Sequence, residues 1–338
     1  MIVRKKLLRK IPFGYAFIAL TLTLSALYYL HNSAGISAYT SLISISNGIE
    51  NRLMFSQQQV GYDSNSSRCD AYLLILSKAS ANESRASIRA GWLADLKGLR
   101  NPLALRHKFI IGHQKRTKNF RETYGNLKEE MDSYDDILIL PFVDSYFNLT
   151  VKVSLLFKTP SVLNQCRYLV KLDEDVYVRA ERFTSMIRGL PVSLPIYGGY
   201  FYDQKKRTMA VNREVGNKFS FTLEEYPNFY FNQYVGGPIY FMTNDVALRL
   251  PYKVLKFTRS NGDEEYVPDT YLDPNRPVIY RLEDVYMGYL IGTMEPKVTF
   301  WHIAKLILDF DHKREKAQVA LHNVREPNVM IHGKEILG

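Results

Sequence analysis

Apolar positions along this chain follow two periods, and their alternation lays out its elements. Ala71 to Leu76 reads Ala-Tyr-Leu-Leu-Ile-Leu, a short unbroken apolar run suited to a strand buried on both faces. In the following ANESRASIRAGWLADL the period changes. Ile88, Trp92 and Leu96 share one helical face, Arg85 and Arg89 lie on a neighbouring one, Asn82 is placed as a cap, and Glu83 is in the first turn. A second strand over His107–Gly112, a polar helix through Glu122–Met131, a third strand in DDILILP from Asp135, and a helix from Ser145 through Leu156 lead to a fourth strand opening at Tyr168. Strands alternating with helices at this spacing predict an α/β domain with a mostly parallel sheet. Beyond Arg179 the pattern predicts a helix over Ala180–Gly189, an aromatic region of antiparallel strands and loops from Ile196 to Thr243, and a short helix over Asp245–Leu250. An acidic loop region follows over Pro251–Tyr280, then a helix opened by Glu283 and Asp284 with Val285, Leu290 and Ile291 on its buried side, and a strand at Val319–His322.

The N-terminus departs from this globular pattern. Ile11 to Leu30 is twenty residues without a charge, long enough to span a bilayer, and it follows the basic cluster Arg4, Lys5, Lys6, Arg9 and Lys10. Charge ahead of the apolar run predicts a signal anchor: a cytosolic tail over 1–10, a transmembrane helix over 11–30, a luminal stem rich in Ser, Asn, Gln and Gly over 31–68, and a luminal body over 69–338. A cleaved secretory signal is the alternative, but its apolar core is usually shorter, ~7–15 residues. The formal charge is +10, and removing the five N-terminal cations leaves +5 with no arginine-rich helix, which argues against a nucleic-acid partner. A luminal body would make Asn65, Asn82 and Asn148 glycosylation acceptors. The two cysteines, Cys69 and Cys166, are too few for a four-ligand zinc site, and each precedes an apolar strand, so neighbouring strands would allow a disulfide.

The chemistry concentrates in YLVKLDEDVYVR, Tyr168–Arg179, where an apolar strand ends in Asp173, Glu174 and Asp175. Three adjacent carboxylates repel one another unless a cation neutralises them. In Asp-x-Asp the first and third side chains leave the backbone on one side, so Asp173 and Asp175 can share an ion, and oxygen ligands favour Mg²⁺, Mn²⁺ or Ca²⁺. The end of such a strand is also where open α/β sheets bind ligands. The plain alternative is an acidic turn. Glu283 and Asp284 likewise have a plain reading, favourable interaction with their own helix dipole. No phosphate-binding loop, G-x-S-x-G or H-E-x-x-H is present, which removes a nucleotide triphosphatase and two hydrolase classes.

Between about Ala71 and Ile336 the chain resembles the β-1,3-glycosyltransferases that include β-1,3-galactosyl- and N-acetylglucosaminyltransferases. RASIRAGW (Arg85–Trp92) is similar to R-x-x-I-R-x-T-W with Gly91 in place of Thr, FIIG (Phe109–Gly112) to F-L-L-G, and DSYFNLTVKV (Asp144–Val153) to D-x-Y-x-N-L-T-x-K-T. KLDEDVYV resembles K-x-D-D-D-x-F-V, YPNFYFNQYVGGPIYFMT (Tyr226–Thr243) resembles Y-P-x-Y-x-x-G-x-G-Y-V-x-S, and LEDVYMG resembles E-D-V-Y-x-G. VALHNVREPNVM resembles the terminal H-x-x-x-P-x-x-M segment, while Ile239 stands where the second glycine of G-x-G-Y is usual, and the cysteine often found before that motif is missing. The order of these motifs, more than any single one, carries the resemblance.

The resemblance implies a GT-A-type, Rossmann-like mixed sheet flanked by helices, a UDP-sugar donor, Mn²⁺ or Mg²⁺, and a type II protein of the Golgi membrane with its catalytic domain luminal. The implied reaction is inverting transfer of a hexose or N-acetylhexosamine to a hydroxyl of a glycan acceptor on glycoprotein or glycolipid, forming a β-1,3 linkage. The implied metal ligands are Asp173, Asp175 and His322, with His302 as the rival histidine. Asp284 is the implied base and Glu283 its orienting or acceptor-binding neighbour. Arg85, Arg89, Asp144, Lys152 and Asp173 are expected at the donor, cations there pairing with phosphate oxygens. Tyr226 and Gly237 are expected at the acceptor. A homodimer is left open. The competing expectation is a catalytically inactive GT-A-fold carbohydrate-binding or chaperone-like protein.

Overall fold

Runs such as Ala71–Leu76 need partners on both faces, and the fold supplies them by sandwiching one sheet between two helical layers. The computed structural model describes residues 69–113, 120–201, 209–258, 264–268, 282–309 and 318–337. All lie in one compact unit, Gly61–Gly338. The tail, the 11–30 span, the stem and Asn65 lie outside the described residues. Among the described residues no helix is long and apolar enough to cross a membrane.

In chain order the elements are β1 (Cys69–Leu76), α1 (Asn82–Ala90), α2 (Trp92–Gly98), β2 (Leu105–His113), α3 (Phe120–Ser133), β3 (Ile137–Val143), α4 (Leu149–Leu156), β4 (Cys166–Asp173), β5 (Tyr177–Val178) and α5 (Ala180–Gly189). Then come β6 (Ile196–Gly199), β7 (Ile239–Thr243), α6 (Asn244–Arg249), β8 (Val254–Thr258), β9 (Glu264–Pro268), α7 (Glu283–Gly292), β10 (Thr299–His302), β11 (Ile307–Asp309), β12 (Ala320–His322) and α8 (Pro327–Leu337). The main sheet has seven strands in the order β10-β6-β7-β4-β1-β2-β3. It is mixed: β1, β2, β3 and β4 run parallel, while β7 pairs antiparallel with both β4 and β6.

Alternation along β1 sends Tyr72, Leu74 and Leu76 to a core shared with α4, α6 and α7, and Leu73 and Ile75 to a core shared with α1, α2, α5 and α8. The chain builds outward from β1 through β2 and β3, then returns to place β4 on the other side of β1. That reversal opens a crevice at the carboxyl ends of β1 and β4, the place where doubly wound sheets bind ligands. Cys69 faces Cys166 across the β1–β4 pair with Cα atoms 4.5 Å apart, and the two are joined in a disulfide.

Four sequence expectations change. The helix expected from Asn82 to Leu96 is two helices broken at Gly91, and Ala81 rather than Asn82 is the N-cap. The helix expected from Ser145 begins as a short 3₁₀ turn over Tyr146–Asn148. Part of the stretch expected to be loop, Pro251–Tyr280, forms the β8–β9 hairpin. The break at Gly91 has a packing cause: a Cβ there would lie 1.8 Å from the Met330 carbonyl oxygen and 2.9 Å from Ile331 Cα. The glycine that replaces the family's threonine lets α8 press its backbone against the α1–α2 junction. Both contacts are backbone, so a side chain cannot be accommodated by rotamer change. Gly91→Thr is therefore expected to lower stability by about 1–3 kcal/mol through overpacking, read as a lower urea midpoint with an unchanged slope.

Candidate active site

The centre of the site is a residue that sequence reading passed over. Lys171 sits in β4 between Val170 and Leu172 and is 1% exposed, yet its ammonium has three oxygen partners. Nζ donates to the Gly237 carbonyl at 2.6 Å, and it lies 2.6 Å from Asp173 Oδ1 and 3.7 Å from Glu283 Oε2. Burial opposes this charge, but Asp173 and Glu283 outweigh it and hold the ammonium's pKa above the ordinary lysine value. Lys171 thus ties the end of β4 to the start of β7 and the first turn of α7. The sheet register supports the same junction: Leu172 pairs with Ile239, and the Asp173 amide donates to the Pro238 carbonyl at 3.0 Å.

Asp284 and Glu283 open α7, where unpaired amides and the helix dipole favour carboxylates. The half-buried Asp284 accepts the Gly237 amide through Oδ2 at 3.1 Å and the Val285 amide through Oδ1 at 2.9 Å. Burial raises its pKa to about 6 against the pull of those amides and of Lys171. Glu283 points the other way, into the core, where the Tyr240 hydroxyl donates to its Oε1. Burial raises Glu283 to about 7, Lys171 opposing and Asp284 adding to the rise. Tyr197 packs edge-on to Tyr240 at 5.5 Å and completes a dry aromatic wall behind the pair. This helix is buried on nearly every side, more than a single apolar face would require, and Gly288 lets Tyr234 and the Gln233 carbonyl approach it.

His322 comes to the same edge through a separate three-stranded sheet, in which β12 pairs with β5, while the Val324 amide binds the Asp175 carbonyl at 2.9 Å. His322 Nε2 and Asp175 Oδ1 are 3.8 Å apart, each side chain about one-quarter exposed, at 24% and 28%. A carboxylate oxygen and an imidazole nitrogen so placed fit a shared divalent cation. Asp173 is engaged by Lys171, and among the described residues no three His, Cys, Asp or Glu side chains form a ligand cluster. Glu174 turns aside, accepting the Ser77 hydroxyl at 2.8 Å, with burial pushing its pKa up. His302, the rival histidine, lies in the edge strand β10, with β6 and β7 between it and β4, and its Nδ1 accepts the Phe201 amide.

The cations expected at the donor are engaged by protein acids. Arg85 is fully buried and forms a two-pronged pair with Glu130, at 2.8 Å from Nε and 2.5 Å from Nη2, and it also donates to Ser77 Oγ at 3.0 Å. Arg89 pairs with Glu130 at 2.7 Å and grips Asp136 through two bonds of 2.7 and 2.8 Å. Burial disfavours ionised Asp136, but Arg89 and His107 overcome it and hold the carboxyl well below the usual range. Lys152 is buried against Asp144 Oδ2 at 2.8 Å, and that carboxylate also accepts the Gly112 amide at 3.1 Å. Arg85 and Lys152 brace the carboxyl ends of β1 and β3 beside the crevice, with Ser77 connecting Arg85 to Glu174, whereas Arg89 ties α1 to the start of β3 through Asp136. Gly237 lies beside Asp284, to which its amide donates. The Tyr226 ring is instead 2% exposed, packed on Phe231 and Phe221, with its hydroxyl donating to Asn232 Oδ1 at 3.2 Å, so it supports its segment from within. Ile239 fills the core beneath Leu172 where a glycine was usual.

A family model described as Galactosyltransferase matches residues 83–267, and the chain belongs to that family. It is 24% identical over 180 residues to hydroxyproline O-galactosyltransferase GALT6 of Arabidopsis thaliana, covering 53% of this chain and 24% of that protein. It is 26% identical to human beta-1,3-galactosyltransferase 2, covering 58% of this chain and 45% of the relative. It is 24% identical to the lactosylceramide 1,3-N-acetyl-beta-D-glucosaminyltransferase of Xenopus tropicalis, covering 60% and 53%. The chain therefore spans from about a quarter to about half of the length of these curated relatives, 24% to 53%.

Removing the Lys171 ammonium would strand a buried carboxylate. Lys171→Met is expected to cost about 3–5 kcal/mol at pH 8, the scale for breaking a buried pair. A carboxyl whose folded pKa is raised favours the folded state below its unfolded value and loses that advantage as pH rises through the folded value. With Glu283 at about 7, the loss in Lys171→Met should shrink at pH 5, where Glu283 is protonated, as read by paired urea titrations.

Proposed function

We propose that this chain is an inverting hexosyltransferase of GT-A type that moves a hexose or N-acetylhexosamine from a UDP-sugar to a hydroxyl of a glycan acceptor, forming a β-1,3 linkage. The observation that carries this reading is the Asp284 carboxylate, fixed by two backbone amides and linked through Gly237 and Lys171 to the acidic end of β4. In an inverting displacement the base lies opposite the leaving group. Asp284 takes the acceptor hydroxyl's proton as that oxygen bonds to the sugar's C1. The bond from C1 to the diphosphate oxygen breaks, and its electron pair leaves with UDP. A carboxyl raised to about 6 is ionised at neutral pH and is a stronger base than an ordinary aspartate. Glu283, fixed by Tyr240, orients the first turn of α7.

Asp175 and His322, with Asp173, would hold a divalent cation, whose chemistry is to offset the charge on the departing diphosphate. Lys152, Asp144 and Arg85 keep the donor side of the crevice in shape. The names of the relatives favour galactose or N-acetylglucosamine as donor sugar and a glycoprotein or glycolipid as acceptor. The charge pattern of the N-terminus supports anchoring through residues 11–30 with the body luminal, and the family resemblance supports the Golgi membrane as the location. A luminal body would carry a glycan at Asn82, which is exposed at the start of α1, and not at Asn148, whose Nδ2 donates to the Val143 carbonyl at 2.8 Å and whose Thr150 is 2% exposed.

The deciding experiment is a screen of UDP-sugars for Mn²⁺-dependent UDP release, with and without glycan acceptors. Asp284→Asn should keep its affinity for UDP and lose about 10²–10⁴-fold in kcat. The wild-type rate should fall on the acid side with an apparent pKa of about 6. Full transfer in EDTA, or an active Asp284→Asn protein, contradicts the reading. In a secretory host, Asn82→Gln should remove one glycosidase-sensitive mass step and Asn148→Gln none.

A further inference from the structure

The Met209–Tyr230 stretch presents apolar and aromatic side chains to the surface in a way that neither the core nor the chemistry above requires. Six of the twelve large apolar side chains that are exposed among the described residues fall between Met209 and Tyr230, including Phe219 at 44%, Phe229 at 79% and Tyr230 at 49%. The stretch has little regular structure, but it is held firmly. Arg213 donates to four backbone carbonyls, those of Phe221, Thr222, Tyr226 and Asn228, at 2.7–2.8 Å. From below, Phe221, Tyr226 and Phe231 pack ring against ring at 5.3–6.4 Å. A pinned segment that keeps its aromatic rings in water is preorganised for a partner, since little ordering entropy remains to be lost on binding.

The segment reaches the reaction centre through one contact. Lys218 Nζ lies over the Phe219 ring at 4.6 Å and over the Tyr146 ring at 5.3 Å. Tyr146 is 49% exposed on the turn that follows Asp144, at the carboxyl end of β3. It follows Asp144, the partner of Lys152 at the strand ends that bound the crevice, and burial with the charges of Asp284 and Asp173 pushes its phenol up.

We propose that Tyr146 and Phe219, with Phe229 farther along the same pinned segment, form the acceptor platform, on which successive pyranose rings of an oligosaccharide stack their C–H faces while the terminal hydroxyl reaches Asp284. This rests on the transferase reading above. An aromatic face is electron-rich and attracts the C–H hydrogens of a sugar ring, and sugar hydroxyls need polar groups at the edge. Lys218, Asn217 and Asn228 are interspersed among these rings in the sequence. A lipid chain would call for a continuous aliphatic surface instead.

The test is saturation-transfer NMR of full-length protein in detergent with UDP and Mn²⁺, using N-acetyllactosamine and a β-galactoside disaccharide panel as probes. Phe219→Ala and Phe229→Ala remove largely exposed rings, and unchanged melting confirms that they fold. Each should weaken sugar binding about tenfold while leaving UDP affinity unchanged. Where transfer is measurable, the acceptor KM should rise by the same factor with kcat within about twofold. Unaltered sugar binding in both variants overturns the proposal, as does wild-type protein that binds none of the probes or binds phosphatidylcholine vesicles through these rings instead. Glycan binding that depends on Phe219 without any UDP-sugar turnover would sustain the platform and defeat the transferase reading alone.

Discussion

One buried ammonium fixes the geometry on which the site depends. Lys171 reaches two carboxylates and a carbonyl that belong to three different elements, the ends of β4 and α7 and the entrance to β7. Without a cation there, Glu283 and Asp173 would repel each other across a water-poor space where charges are weakly screened. With it, the Gly237 carbonyl is held inward, while the Gly237 amide, on the other side of the same Cα, donates to Asp284. Asp284 is thus positioned from the sheet side by Gly237 and from the helix side by Val285. Neither contact depends on a flexible side chain.

The surrounding charge balance explains why the site would still accept a further cation. Lys152 is matched by Asp144, and Arg85 and Arg89 are matched by Glu130 and Asp136, so these basic groups offer little to the strand end. Lys171 divides its single charge between Asp173 and Glu283. Asp175 is left with His322 as its nearest basic partner, and burial pushes the Asp175 carboxyl up. A region that has collected acids and spent its fixed cations elsewhere is complementary to a metal or to a basic ligand.

Much of this was legible in the sequence because it is encoded locally. The strand and helix alternation follows from period, and the acidic strand end and the Glu283–Asp284 helix start follow from residue type and spacing. Four features are not local. Lys171 occupies an inward position of an apolar strand, where a lysine gives no sign of its partners 66 and 112 residues onward, at Gly237 and Glu283. Arg85 and Arg89 look like phosphate ligands until Glu130 and Asp136 arrive from α3 and the start of β3. Gly91 looks like a defect in a motif until α8 comes to rest on it. Tyr226 resembles an acceptor contact because the motif carries no information about which face of its segment is turned inward.

Why a lysine occupies the core at all is a question of geometry before stability. Replacing a buried ion pair by apolar groups of similar volume is often neutral or stabilising. A methionine or leucine at 171 with an apolar partner at 283 would therefore pack at least as well in a core already lined by Tyr240 and Tyr197. Such a core would remove the side-chain donor that the Gly237 carbonyl now has in Lys171. Gly237 sends its carbonyl to Lys171 and its amide, which belongs to the preceding peptide, to Asp284, so a buried donor on β4 restrains one side of the Cα whose other side carries the amide. The desolvation cost of Lys171 and Glu283 is best understood as the cost of holding the two peptides that meet at Gly237, one bonded to Lys171 and the other to Asp284.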